Sequence, residues 1–139
     1  MVDAECPEYS GKPVVLVVDD QPGIRELLFE VLQDARWEVR LAANAREALT
    51  EVATNPPALA IIDLRLPGMN GLELLREMRR RQFRGQVVVL SAYSDTDAAL
   101  EAKNLGAAYW FSKPFDLDEL VGAVEELLGE APKRSELTC

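Results

Sequence analysis

The chain has 139 residues, 48% of them hydrophobic and 28% charged, which is ordinary for one globular domain. Its net charge of −9 argues against direct nucleic acid binding, because contacts to phosphates need a basic surface. The sequence has no histidine, which excludes a histidine base or metal ligand, and its cysteines, Cys6 and Cys139, form no zinc or redox motif.

Residues 1–12 are polar and lack periodicity, so they predict a flexible leader. The sequence contains neither a basic signal-peptide start nor an apolar run long enough to span a membrane. We therefore expect a cytoplasmic protein with reduced cysteines and no membrane partner, and a disulfide between Cys6 and Cys139 is the alternative to two free thiols.

The first half of the chain predicts two strands that alternate with two helices. A β-branched run at 13–18 is typical of a buried parallel strand, and the segment 37–41 alternates like a half-exposed edge strand. Apolar residues spaced by three and four predict a helix over 22–35, with Leu27 in its core stripe. A second helix is expected over 44–54, with an asparagine cap at its start.

The second half continues the alternation and ends in a polar tail, 129–139. Apolar segments predict three strands, at 58–62, 86–90 and 107–111. Helical periodicity predicts three helices, at 71–82, 95–105 and 116–128. Alternating strands and helices require parallel strands and right-handed crossovers. We predict an α/β fold of the flavodoxin-like kind, a three-layer α/β/α sandwich with a five-stranded parallel sheet in the order 2-1-3-4-5.

Polar side chains stand at the ends of four of these strands: Asp19, Asp20, Asp63, Ser91 and Lys113. Each alone could be a turn, a capping or a solvated residue. In the predicted strand order the four strands are neighbours, so all five side chains meet in one crevice at the carboxyl ends of the strands. We therefore interpret them together as a functional site.

Three clustered carboxylates repel one another and need a cation. Oxygen ligands favour Mg²⁺, with Mn²⁺ as the alternative, and such a site is suited to phosphoryl transfer. Asp63 is then the candidate nucleophile, which would form an acyl phosphate. Lys113 would neutralise one phosphoryl oxygen, and Ser91 would donate a hydrogen bond to another.

The sequence resembles the receiver domain of two-component response regulators over residues 13–128. The resemblance lies in four segments: Val17-Val18-Asp19-Asp20, Asp63-Leu64-Arg65-Leu66-Pro67-Gly68-Met69-Asn70-Gly71, Ser91-Ala92 and Lys113-Pro114-Phe115. It implies that a histidine kinase or a histidine-containing phosphotransfer protein donates a phosphoryl group to Asp63. It also implies a regulatory phosphoacceptor rather than an enzyme.

The resemblance further implies roles for residues around the site. Mg²⁺ would be held by Asp20, Asp63 and the backbone carbonyl of Arg65, with Asp19 acting mainly through water. Ser91 and an aromatic residue on the fifth strand, here Trp110, would form the conformational switch. For Trp110 an interface or packing role is the alternative.

Arg65 and Tyr93 each lie two residues after a key residue of the site, and in the family these positions flank the path of the hydrolytic water. Two long side chains there predict a shielded acyl phosphate with a longer lifetime.

The chain also resembles the single-domain phosphorelay regulators of sporulating bacteria, which pass their phosphate to a second phosphotransferase. The rim around the site is expected to dock the partner protein through the apolar residues Ile24 and Phe115, together with Gln21 and Pro114. The protein is expected to be a monomer or a weak dimer.

Several other functions fit the sequence less well. A haloacid-dehalogenase-like phosphatase would need a second carboxylate where Arg65 stands, and a nucleotide or flavin module would need a glycine-rich phosphate loop. A fragment of a longer DNA-binding regulator remains an alternative, with Lys133-Arg134 as the start of a linker. So does a receiver-like module that binds its partners without phosphate.

Overall fold

The computed structural model describes residues 12–33, 36–92 and 96–129. Five strands alternate with five helices along these residues. The strands are β1 Val14–Val18, β2 Glu38–Ala42, β3 Leu59–Asp63, β4 Gln86–Ser91 and β5 Ala107–Ser112. The helices are α1 Pro22–Leu32, α2 Ala45–Thr54, α3 Gly71–Arg80, α4 Thr96–Asn104 and α5 Leu117–Leu128. Within the described ranges, no helix is long and apolar enough to cross a membrane.

The five strands form one parallel sheet in the order β2-β1-β3-β4-β5, which confirms the predicted fold. The central strands consist of apolar and mostly β-branched residues, and β1 and β3 are buried along their whole length. Because β1 pairs with both β2 and β3, the chain changes direction across the sheet there, and a crevice opens at the carboxyl ends of these strands.

The sheet has a hydrophobic core on each face. On one face, α1 and α5 cover the sheet through buried leucine and valine side chains: Leu28, Leu32, Leu120 and Val124. On the other face, α2, α3 and α4 pack through smaller residues near the sheet edge and larger ones at its centre: Ala45, Ala48, Val52, Leu74, Met78 and Ala102. This three-layer arrangement holds the strand ends, and the polar residues on them, in fixed positions.

The helix α1 is shorter than the sequence predicted. It ends at Leu32, and Gln33 has an extended backbone, so the prediction that the helix continues through residue 33 was wrong. The last two residues of the predicted helix, 34 and 35, lie outside the described residues. Leu27 was expected in the core stripe but is 40% exposed. Leu28 and Leu32 are four residues apart, lie on the same side of the helix and are buried against the sheet. Leu27 lies beside this buried stripe and remains partly exposed to solvent.

Asparagine side chains cap the start of two helices, α2 and α3. Asn44 accepts a hydrogen bond from the Glu47 amide at 2.9 Å, as the sequence predicted. A complete capping box, which the sequence interpretation had overlooked, starts α3: the Asn70 side chain accepts from the Glu73 amide at 2.9 Å, and Glu73 accepts from the Asn70 amide at 3.0 Å. It fixes the end of the loop that follows Asp63.

The edge strand β5 contains a β-bulge. Its register against β4 shifts between Val87 and Val88, so that Ala107 pairs with Val87 and Tyr109 with Val88. Trp110 consequently packs on the face of the sheet that α2, α3 and α4 cover, here called the α2–α4 face. Tyr109 and Phe111 pack on the opposite face, which α1 and α5 cover and which is called the α1–α5 face.

The helix α4 buries little: Ala102 is its one buried side chain among those described. Polar contacts with α3 hold it in addition. Arg76 forms an ion pair with Glu101, and the Arg79 guanidinium donates to the Leu105 carbonyl at 2.8 Å.

Candidate functional site

Asp63 is the last residue of β3 and is 2% exposed. The ladder continues past it, because the Leu64 amide donates to the Leu90 carbonyl at 2.9 Å. The Arg65 amide donates to Asp63 Oδ1 at 3.2 Å and so turns the following loop around the carboxylate. The strand therefore delivers a buried carboxylate whose direction is fixed by the backbone on either side.

The start of α3 lies directly against the backbone of Asp63. A Cβ atom at Gly71 would lie 2.6 Å from the Asp63 carbonyl oxygen and 2.7 Å from Leu64 Cα. Both neighbours are main-chain atoms, which cannot move aside as a side chain could. Position 71 therefore requires glycine for close approach, and the Gly71 amide uses this proximity to donate to the Leu64 carbonyl at 3.0 Å.

Asp19 follows β1 and is fully buried. Its amide extends the ladder by donating to the Ala42 carbonyl at 3.1 Å. Both carboxylate oxygens have partners: Oδ1 accepts from the Gln21 amide at 2.9 Å, and Oδ2 accepts from Lys113 Nζ at 3.0 Å. A buried carboxylate of this kind needs such partners, since an unpaired charge in the interior would be strongly unfavourable.

Lys113 enters the site from the end of β5. Its amide donates to the Ser91 carbonyl at 2.7 Å, which ties the ends of β4 and β5 together. Its ammonium group lies 3.0 Å from Asp19 Oδ2 and 3.3 Å from Asp63 Oδ2, so it bridges two carboxylates. It is also 3.5 Å from Gln21 Oε1.

Asp20 completes a group of three carboxylates. One oxygen each from Asp19, Asp20 and Asp63 lies within 4.8 Å of the others. When all three carboxylates are ionised, as a bound cation would favour, they and the ammonium of Lys113 carry a net charge of −2. Hard oxygen ligands with this net charge fit a divalent cation such as Mg²⁺. Asp20, Asp63 and Lys113 line an open cleft of about 560 Å³, which has room for a cation and a phosphoryl group.

Burial raises the pKa of Asp63 above its ordinary value, and the neighbouring Asp19 carboxylate raises it further. The hydrogen bond from the Arg65 amide and the charge of Lys113 oppose this rise but do not cancel it. The ionised form of Asp63 is therefore disfavoured in the metal-free protein. A cation bound beside it would favour the carboxylate form.

An Asp63→Asn substitution is therefore expected to stabilise the metal-free protein at neutral pH, by about 1 kcal/mol or more, because it removes a buried charge. A carboxyl group with a raised folded-state pKa stabilises the fold below its unfolded pKa, and this contribution is lost as the pH rises through the folded pKa. The variant lacks that loss, so its advantage in urea unfolding should grow from pH 4 to pH 7. Glu30→Gln, at an exposed position on α1, is the control. An advantage for Asp63→Asn that is absent or falls with pH would contradict the electrostatic account.

The structure brings Asp19, Asp20, Asp63 and Lys113 together as the sequence predicted. Ser91 is 2% exposed at the end of β4 and joins them through its main-chain bond to Lys113.

The other predicted residues lie at different distances from the cleft. Arg65 lines it and is exposed. Trp110 is half-buried and packs against the core of the α2–α4 face, so it does not line the cleft. Tyr93 lies outside the described residues.

Of the predicted docking residues, Gln21 and Pro114 are exposed, whereas Ile24 and Phe115 are half-buried against the α1–α5 face. The sequence interpretation missed two contributors to the site. Gly71 was predicted as a turn residue and as the first residue of a helix, but its close approach to the Asp63 backbone was not predicted. Arg25, whose Nη1 donates to the Asp19 carbonyl at 2.6 Å, was predicted only as part of the resemblance to the sporulation regulators, and no contact with the site was expected of it.

Comparison with known proteins identifies one protein family. The family model for the response regulator receiver domain matches residues 15–125. Sporulation initiation phosphotransferase F of Bacillus subtilis is 41% identical over 114 residues, which are 82% of this chain and 92% of that protein.

A longer relative and a solved structure agree with this match. The DNA-binding transcriptional regulator NtrC of Salmonella typhimurium is 38% identical over 83% of this chain, which spans 24% of that protein. A CheY-like response regulator receiver domain protein from Methanospirillum hungatei superposes with a TM-score of 0.81 at 27% identity, covering 89% of this chain and 99% of that one.

Proposed function

Because the chain belongs to the response regulator receiver domain family and is therefore a receiver of phosphoryl groups, we propose that Asp63 is its phosphoryl acceptor and that Mg²⁺ is its cofactor. The observation that carries this proposal is the bridged arrangement in which Lys113 Nζ lies 3.3 Å from Asp63 Oδ2, beside the other two carboxylates. We place the domain at residues 13–128.

In the proposed reaction, Asp63 Oδ2 attacks the phosphorus of a phosphohistidine or a small acyl phosphate. A P–O bond forms to the carboxylate as the bond to the donor breaks, and the donor leaves with its electron pair. Asp20, Asp63 and the backbone carbonyl of Arg65 would hold the Mg²⁺, and Asp19 would act through water because both of its oxygens already have protein partners. When bound, the ion would neutralise charge on the phosphoryl oxygens.

Lys113 lies between Asp19 and Asp63, and in the proposed reaction its ammonium group would follow the new negative charge onto the phosphoryl oxygens. Ser91 would turn its hydroxyl to another of these oxygens. Because the Lys113 amide is bonded to the Ser91 carbonyl, a movement of either residue would be transmitted to the ends of both strands. Trp110, three residues before Lys113 on β5, would be the residue through which this movement changes the α2–α4 face.

The lifetime of the phosphoryl group would depend on the open side of the cleft. Arg65 is exposed there and lines the cleft, so its side chain is in a position to restrict the approach of water to Asp63. We propose the same shielding role for Tyr93.

We propose a histidine kinase or a histidine-containing phosphotransfer protein as the partner, since this chain has no histidine of its own to donate phosphate. Gln21, Ile24, Pro114 and Phe115 would form its docking surface: Gln21 lines the cleft, and Pro114 follows Lys113 directly. We also propose a cytoplasmic location and a monomeric or weakly dimeric state.

The similarity to sporulation initiation phosphotransferase F over 92% of its length supports a relay role, in which phosphate passes from Asp63 to a second phosphotransferase. The similarity to NtrC over 24% of that regulator's length supports the alternative, in which the receiver controls an output domain. The two roles share the same chemistry at Asp63.

The test is incubation with acetyl phosphate and Mg²⁺, followed by intact mass measurement. The wild-type protein should gain one phosphoryl mass, and Asp63→Asn should gain none. Asp97→Asn, a change of an exposed carboxylate on α4, should behave as wild type. A folded wild-type protein that gains no phosphoryl mass from acetyl phosphate or from a phosphorylated histidine donor would contradict the proposal and favour a module that binds partners without phosphate.

A further inference from the structure

Arg25 on α1 reaches back to the strand end that carries two of the three carboxylates. Its Nη1 donates to the main-chain carbonyl of Asp19 at 2.6 Å, a short hydrogen bond. Its own amide is bonded within the first turn, to the Gln21 carbonyl at 3.1 Å. The side chain thus joins the start of α1 to the peptide group that precedes Asp20.

Asp20 depends on that peptide group more than its neighbours do. It is exposed, and its carboxylate makes no hydrogen bond to any residue within 12–33, 36–92 and 96–129. By contrast, Asp19 has partners on both oxygens and Asp63 accepts from the Arg65 amide. The direction of the Asp20 side chain is therefore set by the main chain on either side of it.

Two hydrogen bonds fix this main chain. On the side before Asp20, Arg25 holds the Asp19 carbonyl. On the side after it, the Gln21 amide donates to Asp19 Oδ1 at 2.9 Å. Without Arg25, the peptide group between Asp19 and Asp20 would lose its side-chain partner and could rotate, and the Asp20 carboxylate would turn with it.

We propose that Arg25 is a positioning residue for cation binding: it holds the Asp19 carbonyl so that the Asp20 carboxylate points into the cleft. This inference rests on the proposed Mg²⁺ site. It requires that positioning outweigh charge, because a guanidinium near the site repels a cation, and its removal by charge alone would tighten binding. Residues that orient a metal ligand typically contribute about 10- to 100-fold to metal affinity.

Loss of positioning would weaken cation binding, whereas loss of the positive charge would tighten it, so a binding measurement distinguishes the two. Electron paramagnetic resonance would measure the affinity for Mn²⁺, and competition with Mg²⁺ would give the affinity for Mg²⁺. Arg25→Met removes both the donor and the charge, and it is expected to weaken binding by about 10-fold or more. Arg25→Lys keeps a donor on a long side chain and should recover part of the affinity. Arg80→Met, which removes a charge from the exposed end of α3, is the control and should bind as wild type does.

Equal or tighter binding by a folded Arg25→Met variant would overturn the inference, because it would show that charge alone matters. Circular dichroism establishes whether each variant is folded. Should Arg25→Met not fold, Arg25→Gln decides: its neutral amide is too short to reach the carbonyl in the same way, so weaker binding supports positioning and equal or tighter binding refutes it. If the wild-type protein itself binds no Mn²⁺ or Mg²⁺, the proposed metal site fails, independently of Arg25.

Discussion

An Asp20→Asn variant is expected to bind Mg²⁺ about 100-fold or more weakly than the wild-type protein, at least as large a loss as the removal of an orienting residue causes. Asp20 is the exposed carboxylate of the cluster, and both of its oxygens are available to a cation. The substitution also changes the net charge of the cluster and Lys113 from −2 to −1. Isothermal titration at fixed ionic strength would measure the affinity, and phosphorylation by acetyl phosphate should fall in parallel.

Glu26→Gln is the matched control for this prediction. It removes the same charge from an exposed position on the same end of the molecule, one helical turn into α1. A general effect of net charge would lower the Mg²⁺ affinity of both variants alike. An Asp20→Asn variant that binds Mg²⁺ within a few-fold of wild type would show that the cation is held elsewhere.

A Gly71→Ala variant is expected to lose about 2 kcal/mol or more in the free energy of unfolding, although it adds only one methyl group. The added Cβ would meet main-chain atoms of Asp63 and Leu64 at 2.6 and 2.7 Å, so the start of α3 or the end of β3 must shift. A shift of this strand end moves the Asp63 carboxylate, and a misplacement of about 1 Å can slow a reaction about 100-fold. Urea unfolding and the rate of phosphorylation would measure the two effects.

Gly122→Ala provides the control for the same substitution. Gly122 lies in α5, and a Cβ there would meet nothing within 4 Å. Alanine is the better helix former, so this variant should gain about 0.5–1 kcal/mol and leave phosphorylation unchanged. If Gly71→Ala were as stable as Gly122→Ala, the close approach between α3 and β3 would not constrain the site.

The parts of the site that the sequence predicted are those in which polarity changes at a strand end. The apolar, mostly β-branched runs end abruptly at Asp19 and Asp63. A polar residue at the end of a buried parallel strand lies at the carboxyl edge of the sheet, where ligands bind. Right-handed crossovers restrict the possible strand orders, and the flavodoxin-like order 2-1-3-4-5 among them brings the carboxylates and Lys113 together.

The parts that it did not predict depend on geometry between distant segments. The register shift of β5 between Val87 and Val88 decides which β4 residue Trp110 pairs with, and no residue type near it predicts a bulge. The hydrogen bond from Arg25 to a main-chain carbonyl depends on how α1 leaves β1, because any residue offers the same acceptor. Leu27 has the spacing of a core residue, but the width of the buried stripe is set by how α1 packs on the sheet.

The role of Asp63 as phosphoryl acceptor is tested most directly by identifying the residue that carries the phosphoryl group. After incubation with acetyl phosphate and Mg²⁺, borohydride would reduce the acyl phosphate to an alcohol, and peptide mass mapping would locate the modified position. We expect one modified residue, Asp63, and none in the sample without Mg²⁺. Modification of Asp19 or Asp20 instead, or of Asp63 in the complete absence of divalent cations, would contradict it.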